Sequence, residues 1–261
     1  PHLLFNAMTI LDALEVDYET VGGPGACCGI IHSKWEGEIE KGERVVDGTL
    51  GRFEDFTPDH VLSWCPSCVL HLGETIEGFR DTGFDFDHIT KFLADRAAGL
   101  RFVRPIERRV LLHAHEGMAE IGERVAKLLA SIPGLTLVDT VLEPGYTCGG
   151  SGADRSPELK RLKRAETMRR AEGDDVDTLV TLFHGCHGQL SPEQKRGAFE
   201  VLNWTDLLVE ALGEAPHDDI SKRYRMREDW DLVLDEGEIY LRANGIDVDR
   251  EWLKGLLPDI F

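Results

Sequence analysis

Residues 21–29 read Val-Gly-Gly-Pro-Gly-Ala-Cys-Cys-Gly and residues 141–149 read Val-Leu-Glu-Pro-Gly-Tyr-Thr-Cys-Gly, so one pattern returns at an offset of 120 residues. A repeat of this period constrains the fold strongly, because each half must build the same supersecondary unit. Before each copy lies an amphipathic helical stretch, residues 3–14 and 118–132, leading into a short apolar strand that carries Val21 or Val141. After each come a polar helical segment, a β-rich run (residues 59–65 and 177–186) and a closing helix (residues 88–98 and 204–212). In this alignment Cys65 matches Cys186. The expected fold is α/β, two Rossmann-like βα repeats related by a pseudo-twofold axis, spanning residues 1–104 and 105–215. Residues 216–261, charged with scattered Trp and Leu, form an expected helical tail.

The second half places a strand over residues 109–112 before His113-Ala114-His115-Glu116-Gly117. Its counterpart in the first half would precede Pro1, so the chain is expected to start inside its first repeat, without the opening strand.

Charge narrows the partners. The 29 basic and 48 acidic residues give a net charge of -19, which repels a nucleic-acid backbone and anionic lipid and serves either solubility alone or a partner with a basic docking face. No apolar run reaches the roughly 18 residues a membrane span needs, and no secretory leader is evident. A cytoplasmic, reducing compartment is expected. There, six cysteines are better read as metal ligands or redox groups than as a disulfide framework.

Four of the six stand in two tight pairs, Cys27-Cys28 and Cys65-Pro66-Ser67-Cys68, with 36 residues between them. One zinc ion on four thiolates is one reading. A multi-iron cluster is another, since adjacent cysteines point their side chains apart and reach two irons more easily than one ion. A thioredoxin-like dithiol at Cys65 and Cys68 is a third, but it leaves Cys27 and Cys28 unused. Trp64 reads as core, and His32, Trp35 and His71 lie close to these motifs in sequence.

This pattern resembles the CCG domain found in the family of cysteine-rich heterodisulfide reductase subunits, which also includes iron-sulfur subunits of glycolate and lactate oxidation systems. The resemblance covers both repeats, about 215 residues, and implies a non-cubane [4Fe-4S] cluster on Cys27, Cys28, Cys65 and Cys68. Gly25 and Gly29 would let backbone approach that cluster, and Pro66 would shape the loop between its ligands. The family's further cysteine, upstream of the CCG motif, would fall before Pro1.

The second half departs from that pattern: Thr147 stands at the first cysteine of the motif and Gln189 at the last. Cys148, Cys186, His187 and the pair His113 and His115 remain, a set able to hold zinc or a conventional cluster with mixed ligation, or else a decayed site. Gly149-Gly150-Ser151-Gly152, followed by Asp154 and Arg155, is a weak anion-binding pattern. The resemblance implies an oxidoreductase subunit that exchanges electrons with a disulfide or sulfur-carrier substrate and with a partner iron-sulfur or flavin subunit. A zinc-bound or metal-free interaction subunit of a redox complex, and an electron-relay subunit of a glycolate- or lactate-type system, are the alternatives.

Overall fold

The computed structural model describes residues 2–148, 156–173, 175–227 and 229–260. The glycine-rich stretch after Cys148, with Asp154 and Arg155, lies outside the described residues.

The first repeat runs α1 (His2–Ala13), α2 (Ile39–Glu54), β1 (His60–Ser63), α3 (Pro66–Phe79), β2 (Asp85–His88) and α4 (Ile89–Asp95). The second runs β3 (Arg109–His115), α5 (Ala119–Ala130), β4 (Thr136–Glu143), α6 (Pro157–Gly173), β5 (Thr178–Thr181), α7 (His184–Leu190), β6 (Glu200–Asn203) and α8 (Trp204–Ala211). Strand and helix alternate in both, and all strand pairs are parallel.

The order β4-β3-β5-β6 puts β3 inside the larger sheet. Every residue of β3 from Val110 to His115 is buried, as are all four of β5. That is the signature of strands covered on both faces, and it explains their unbroken apolar reading. The first repeat's sheet contains only β1 and β2. Here the structure departs from the expectation for Val21: residues 16–22 form no strand, whereas Val141 sits in β4. The reason lies in pairing. β4 bonds to β3 along its length, and among the described residues no such strand lies beside residues 16–22, so their backbone has no ladder to join.

Corresponding strands end in corresponding caps. His88 closes β2 and its side chain accepts the Thr90 N–H, while Asn203 closes β6 and accepts the Thr205 N–H. The same architecture corrects the cysteine alignment. Cys65 is the N-cap of α3 and Phe183 the N-cap of α7, each two residues beyond its strand. Cys68 and Cys186 are thus both third residues of their helices. Cys186 answers to Cys68, Phe183 takes the place of Cys65, and Gln189 replaces nothing.

The repeats share one core. Ala7, Ile10 and Leu11 of α1 and Ile89, Phe92 and Leu93 of α4 pack with β3, β5, α5 and α8. Trp64 stacks on Trp204 with ring centroids 5.5 Å apart. Asn6 Nδ2 donates to Asp206 Oδ1 at 2.6 Å, holding α1 to α8. The first repeat adds a small cluster of its own around Cys28, Val46, Leu50, Leu72 and Phe84. The tail is helical, as expected: α9 (Ile220–Arg227), α10 (Trp230–Ala243) and α11 (Arg250–Ile260), with Tyr224, Val233, Leu234 and Leu257 as its apolar centre.

Candidate metal centres

His113 and His115 stand two residues apart on β3, so strand alternation turns both rings to one side of the sheet. Cys148, from the loop after β4, and Cys186, in the first turn of α7, meet them there. The four ligand atoms all lie within 4.8 Å of one another. His113 Nε2 is 3.0 Å from Cys148 Sγ, and His115 Nε2 is 3.2 Å from Cys186 Sγ and 3.6 Å from Cys148 Sγ. A tetrahedral zinc ion on two sulfurs and two nitrogens separates its ligand atoms by about 3.5 Å, so these side chains fit one such ion with little movement. None of the four is more than 3% exposed.

Hydrogen bonds behind the rings prepare His113 for ligation. Thr167 Oγ1 donates to the buried carboxylate of Glu143 at 2.9 Å, so it must accept from His113 Nδ1, 3.3 Å away. That keeps a proton on Nδ1 and turns Nε2, the atom a metal would take, toward the sulfurs. Burial alone would lower the pKa of His113, but Cys186 and Glu143 hold it above its ordinary value. Burial opposes ionisation of Cys186 too, yet hydrogen bonds from Cys148, His113 and His115 bring it well below a normal thiol. Its bond to Cys186 pushes Cys148 up.

In the first repeat, the thiol of Cys68 is close enough to those of Cys28 and Cys65 to interact with both. That interaction raises Cys68, while Cys68 lowers Cys28 to about 7 and Cys65 to about 5. Backbone N–H groups of Ser67 and Cys68 at the start of α3 add to the lowering at Cys65, as a helix N-terminus does for a thiolate. Cys27 is anchored through its carbonyl, which accepts the Thr49 hydroxyl at 2.6 Å. Its thiol, like those of Cys65 and Cys68, is half-buried, while Cys28 is buried.

A family model of the cysteine-rich CCG domain matches the chain twice, over residues 5–73 and 113–191. The chain belongs to that family. No curated protein matches it. The first CCG match contains Cys27, Cys28, Cys65 and Cys68, and the second contains all four residues of the His/Cys centre. A CCG chain carrying a His/Cys cluster of this geometry points to a redox, metal-binding role.

The two CCG centres are joined by rings. Trp64, next to Cys65, lies against His88 with centroids 6.4 Å apart; His88 meets Phe183 edge-on at 5.7 Å; and Phe183 stacks on His115 at 6.4 Å. Phe183 thus fills, with an apolar ring, the place that Cys65 holds in the other repeat.

Other residues near the motifs lie elsewhere. His187 is not with the cysteines: it follows Cys186 on a helix, which turns it about 100° away, and its Nε2 is 2.6 Å from Asp219 Oδ2. His113, set beside His115 in the sequence, takes part instead. His184 is exposed at the start of α7, near enough to Cys65 to lower its pKa. Trp35 is exposed, and His32 bonds to Glu36 at 2.7 Å. Gly29 has φ 72°, and a Cβ there would lie 2.8 Å from the Gly42 carbonyl, so its bare backbone admits α2. A Cβ on Gly25 would collide with the Arg52 guanidinium. Among the described residues, no helix is long and apolar enough to cross a membrane.

Proposed function

We propose that this chain is the cysteine-rich subunit of an iron-sulfur oxidoreductase of heterodisulfide reductase type. Cys27, Cys28, Cys65 and Cys68 hold a non-cubane [4Fe-4S] cluster, and His113, His115, Cys148 and Cys186 hold zinc. The carrying observation is the meeting of Cys28, Cys65 and Cys68 beside Cys27, with Cys28 and Cys65 both lowered toward the thiolate form that binds iron.

Several features support a cluster over a single ion in the first repeat. Cys27 and Cys28 are adjacent, and among the described residues the first-repeat thiols do not form a group within 4.8 Å, as the second-repeat ligands do. A multi-iron centre spaces its thiolates more widely than one ion does. Two buried polar atoms flanking Cys65 and Cys68 in sequence, Trp64 Nε1 and His71 Nε2, have no hydrogen-bond partner, and sulfide is an acceptor suited to such groups. When bound, the cluster supplies single-electron steps to or from a disulfide or sulfur-carrier substrate. The chain's part is to hold the thiolates, keep one side half-open at Cys27, Cys65 and Cys68, and present an acidic surface to a basic redox partner. We place the repeat boundaries at residues 104 and 215 and the protein in the cytoplasm.

The closed His/Cys centre favours a second reading, a zinc-stabilised interaction subunit, because four protein ligands leave a zinc ion no open position for chemistry. Iron and acid-labile sulfide in anaerobically purified protein separate the two. The first reading expects about four of each per chain, with visible absorption that bleaches on reduction and changes on adding a disulfide. Zinc without iron or sulfide overturns it, and a reducible spectrum indifferent to disulfides points to an electron relay instead.

A further inference from the structure

Away from both cysteine centres, three side chains from distant parts of the chain converge: His2 at the start of α1, His187 in α7 and Asp219 immediately before α9. Their ligand atoms lie within 4.8 Å of one another. His187 Nε2 is 2.6 Å from Asp219 Oδ2, and His2 Nδ1 is 3.3 Å from Asp219 Oδ1. Both imidazoles are buried, and their ring centroids are 5.3 Å apart.

The hydrogen bonds around His187 determine which nitrogen carries its proton. Thr181 has one hydroxyl proton, and the Leu202 carbonyl, 3.1 Å away, can only accept it. His187 Nδ1, also 3.1 Å from that hydroxyl oxygen, must therefore be the donor. A neutral ring then aims its Nε2 lone pair at a carboxylate oxygen 2.6 Å away, an arrangement that repels unless positive charge lies between them. A proton on Nε2 is one solution. With that proton in place a neutral His2 can donate Nδ1–H to the same carboxylate 3.3 Å away, but its Nε2 is then a buried lone pair with no donor and the Asp206 carboxylate 3.8 Å from it. A single cation serves both rings and the carboxylate.

We infer that His2 Nδ1, His187 Nε2 and Asp219 form a binding site for a divalent transition-metal ion. Two imidazoles and one carboxylate are a donor set for zinc, iron(II) or cobalt(II) that leaves positions open to water. Surrounding groups fit that assignment. His2 Nε2 is buried without a hydrogen-bond partner, and Asp206 Oδ1 lies 3.8 Å from it, placed to orient the ring as an outer carboxylate does in histidine metal sites. Thr181 orients His187 in the same manner. Asp206 and Asp219 also line a cavity of about 260 Å³ with Arg108, Glu200 and Lys222, which gives an ion a way in from solvent. Asp219 Oδ1 accepts the Lys222 N–H at 3.0 Å, so the ion ties the tail's first helix to α1 and α7. This site contains no thiolate, which separates it spectroscopically from both cysteine centres.

Cobalt(II) titration of the full chain, with zinc in place at the cysteine centre, tests the assignment. The expected result is one equivalent bound with weak visible bands and no thiolate charge-transfer absorption. Asp219→Asn, which keeps the helix cap, should lose that equivalent, and His2→Gln should weaken it at least about tenfold. Histidine 15N spectra of the unmutated chain with zinc give a reading that no variant's folding can obscure: His187 Nε2 should carry no proton. Equal cobalt uptake by wild type and Asp219→Asn, or a protonated Nε2 under saturating zinc, overturns the site in favour of an imidazolium–carboxylate pair. A thiolate band as the sole signal of cobalt uptake would place the ion at the cysteine centres and overturn the site as well.

Discussion

Cys68 and Cys186 occupy the same turn of the same helix in the two repeats, and their surroundings differ in kind. Cys68 is half-buried against a small apolar cluster, with the thiols of Cys28 and Cys65 as its titratable neighbours. Cys186 is fully buried among two histidines and one cysteine, backed by Thr167 and Glu143. Phe183 in place of Cys65 and Thr147 in place of Cys27 remove two sulfurs from the second centre, while β3 brings in two imidazoles. On the proposed reading the duplicated scaffold serves two tasks: the half-buried, thiol-rich centre takes the redox chemistry, and the closed, mixed centre is structural.

The sharpest way to break this contrast is to remove one ligand from each centre. Cys148→Ser should abolish zinc binding and cost about 5 kcal/mol or more, lowering the melting temperature by more than about 10 °C, because structural zinc contributes folding free energy directly. Cys28→Ser should lose iron and the visible spectrum while melting within a few degrees of wild type. Metal analysis with thermal unfolding checks both, and equal thermal losses would end the division of labour.

The caps offer a smaller, pH-dependent test. Burial lowers His88 to about 4 from an ordinary histidine value of 6.5, so the folded state prefers the neutral ring. Between these values the unfolded chain binds more protons, and the stability from neutral His88 is complete above pH 6.5 and is lost as pH falls toward 4. The loss amounts to about 3 kcal/mol. His88→Asn gives the first repeat the cap that Asn203 provides in the second and should flatten this part of the profile. Denaturant unfolding at about pH 7 and about pH 4.5 measures it, and parallel pH profiles for the two proteins would refute the assignment to His88.

The smallest effect concerns the support of one ligand. Thr167→Val leaves His113 Nδ1 without its acceptor and should weaken zinc binding about 10- to 100-fold, as loss of such outer partners does. Competition with a chromophoric chelator reads this change. Unchanged affinity would mean that Glu143, 3.6 Å from His113 Nδ1, orients the ring alone.

Much of this was legible before any fold was known. Duplication shows as a repeated pattern at fixed offset, alternating strands and helices follow from hydrophobic period, and Cys27, Cys28, Cys65 and Cys68 announce themselves by local spacing. These are properties of short segments, which a sequence records directly. The second centre was only half visible. Cys148, Cys186 and His115 stand out as unpaired remnants of a motif, but His187 reads as an equally good ligand because it adjoins Cys186. Only the helix could decide, since neighbours on a helix point in different directions, whereas His113 and His115 on one strand point the same way. The register of Cys186 against Cys68 likewise required the lengths of the strand-to-helix turns.

What the sequence determined by itself was therefore the repeat, the class of fold and the thiol-rich motif, each encoded within a few consecutive turns of chain. Tertiary structure alone decided which histidines join Cys148 and Cys186, that Phe183 spans the two centres, and that His2, His187 and Asp219 meet. Those contacts join residues up to 217 positions apart, His2 to Asp219, and packing of α1, α7 and the tail around the β3 sheet sets them, which no local pattern records.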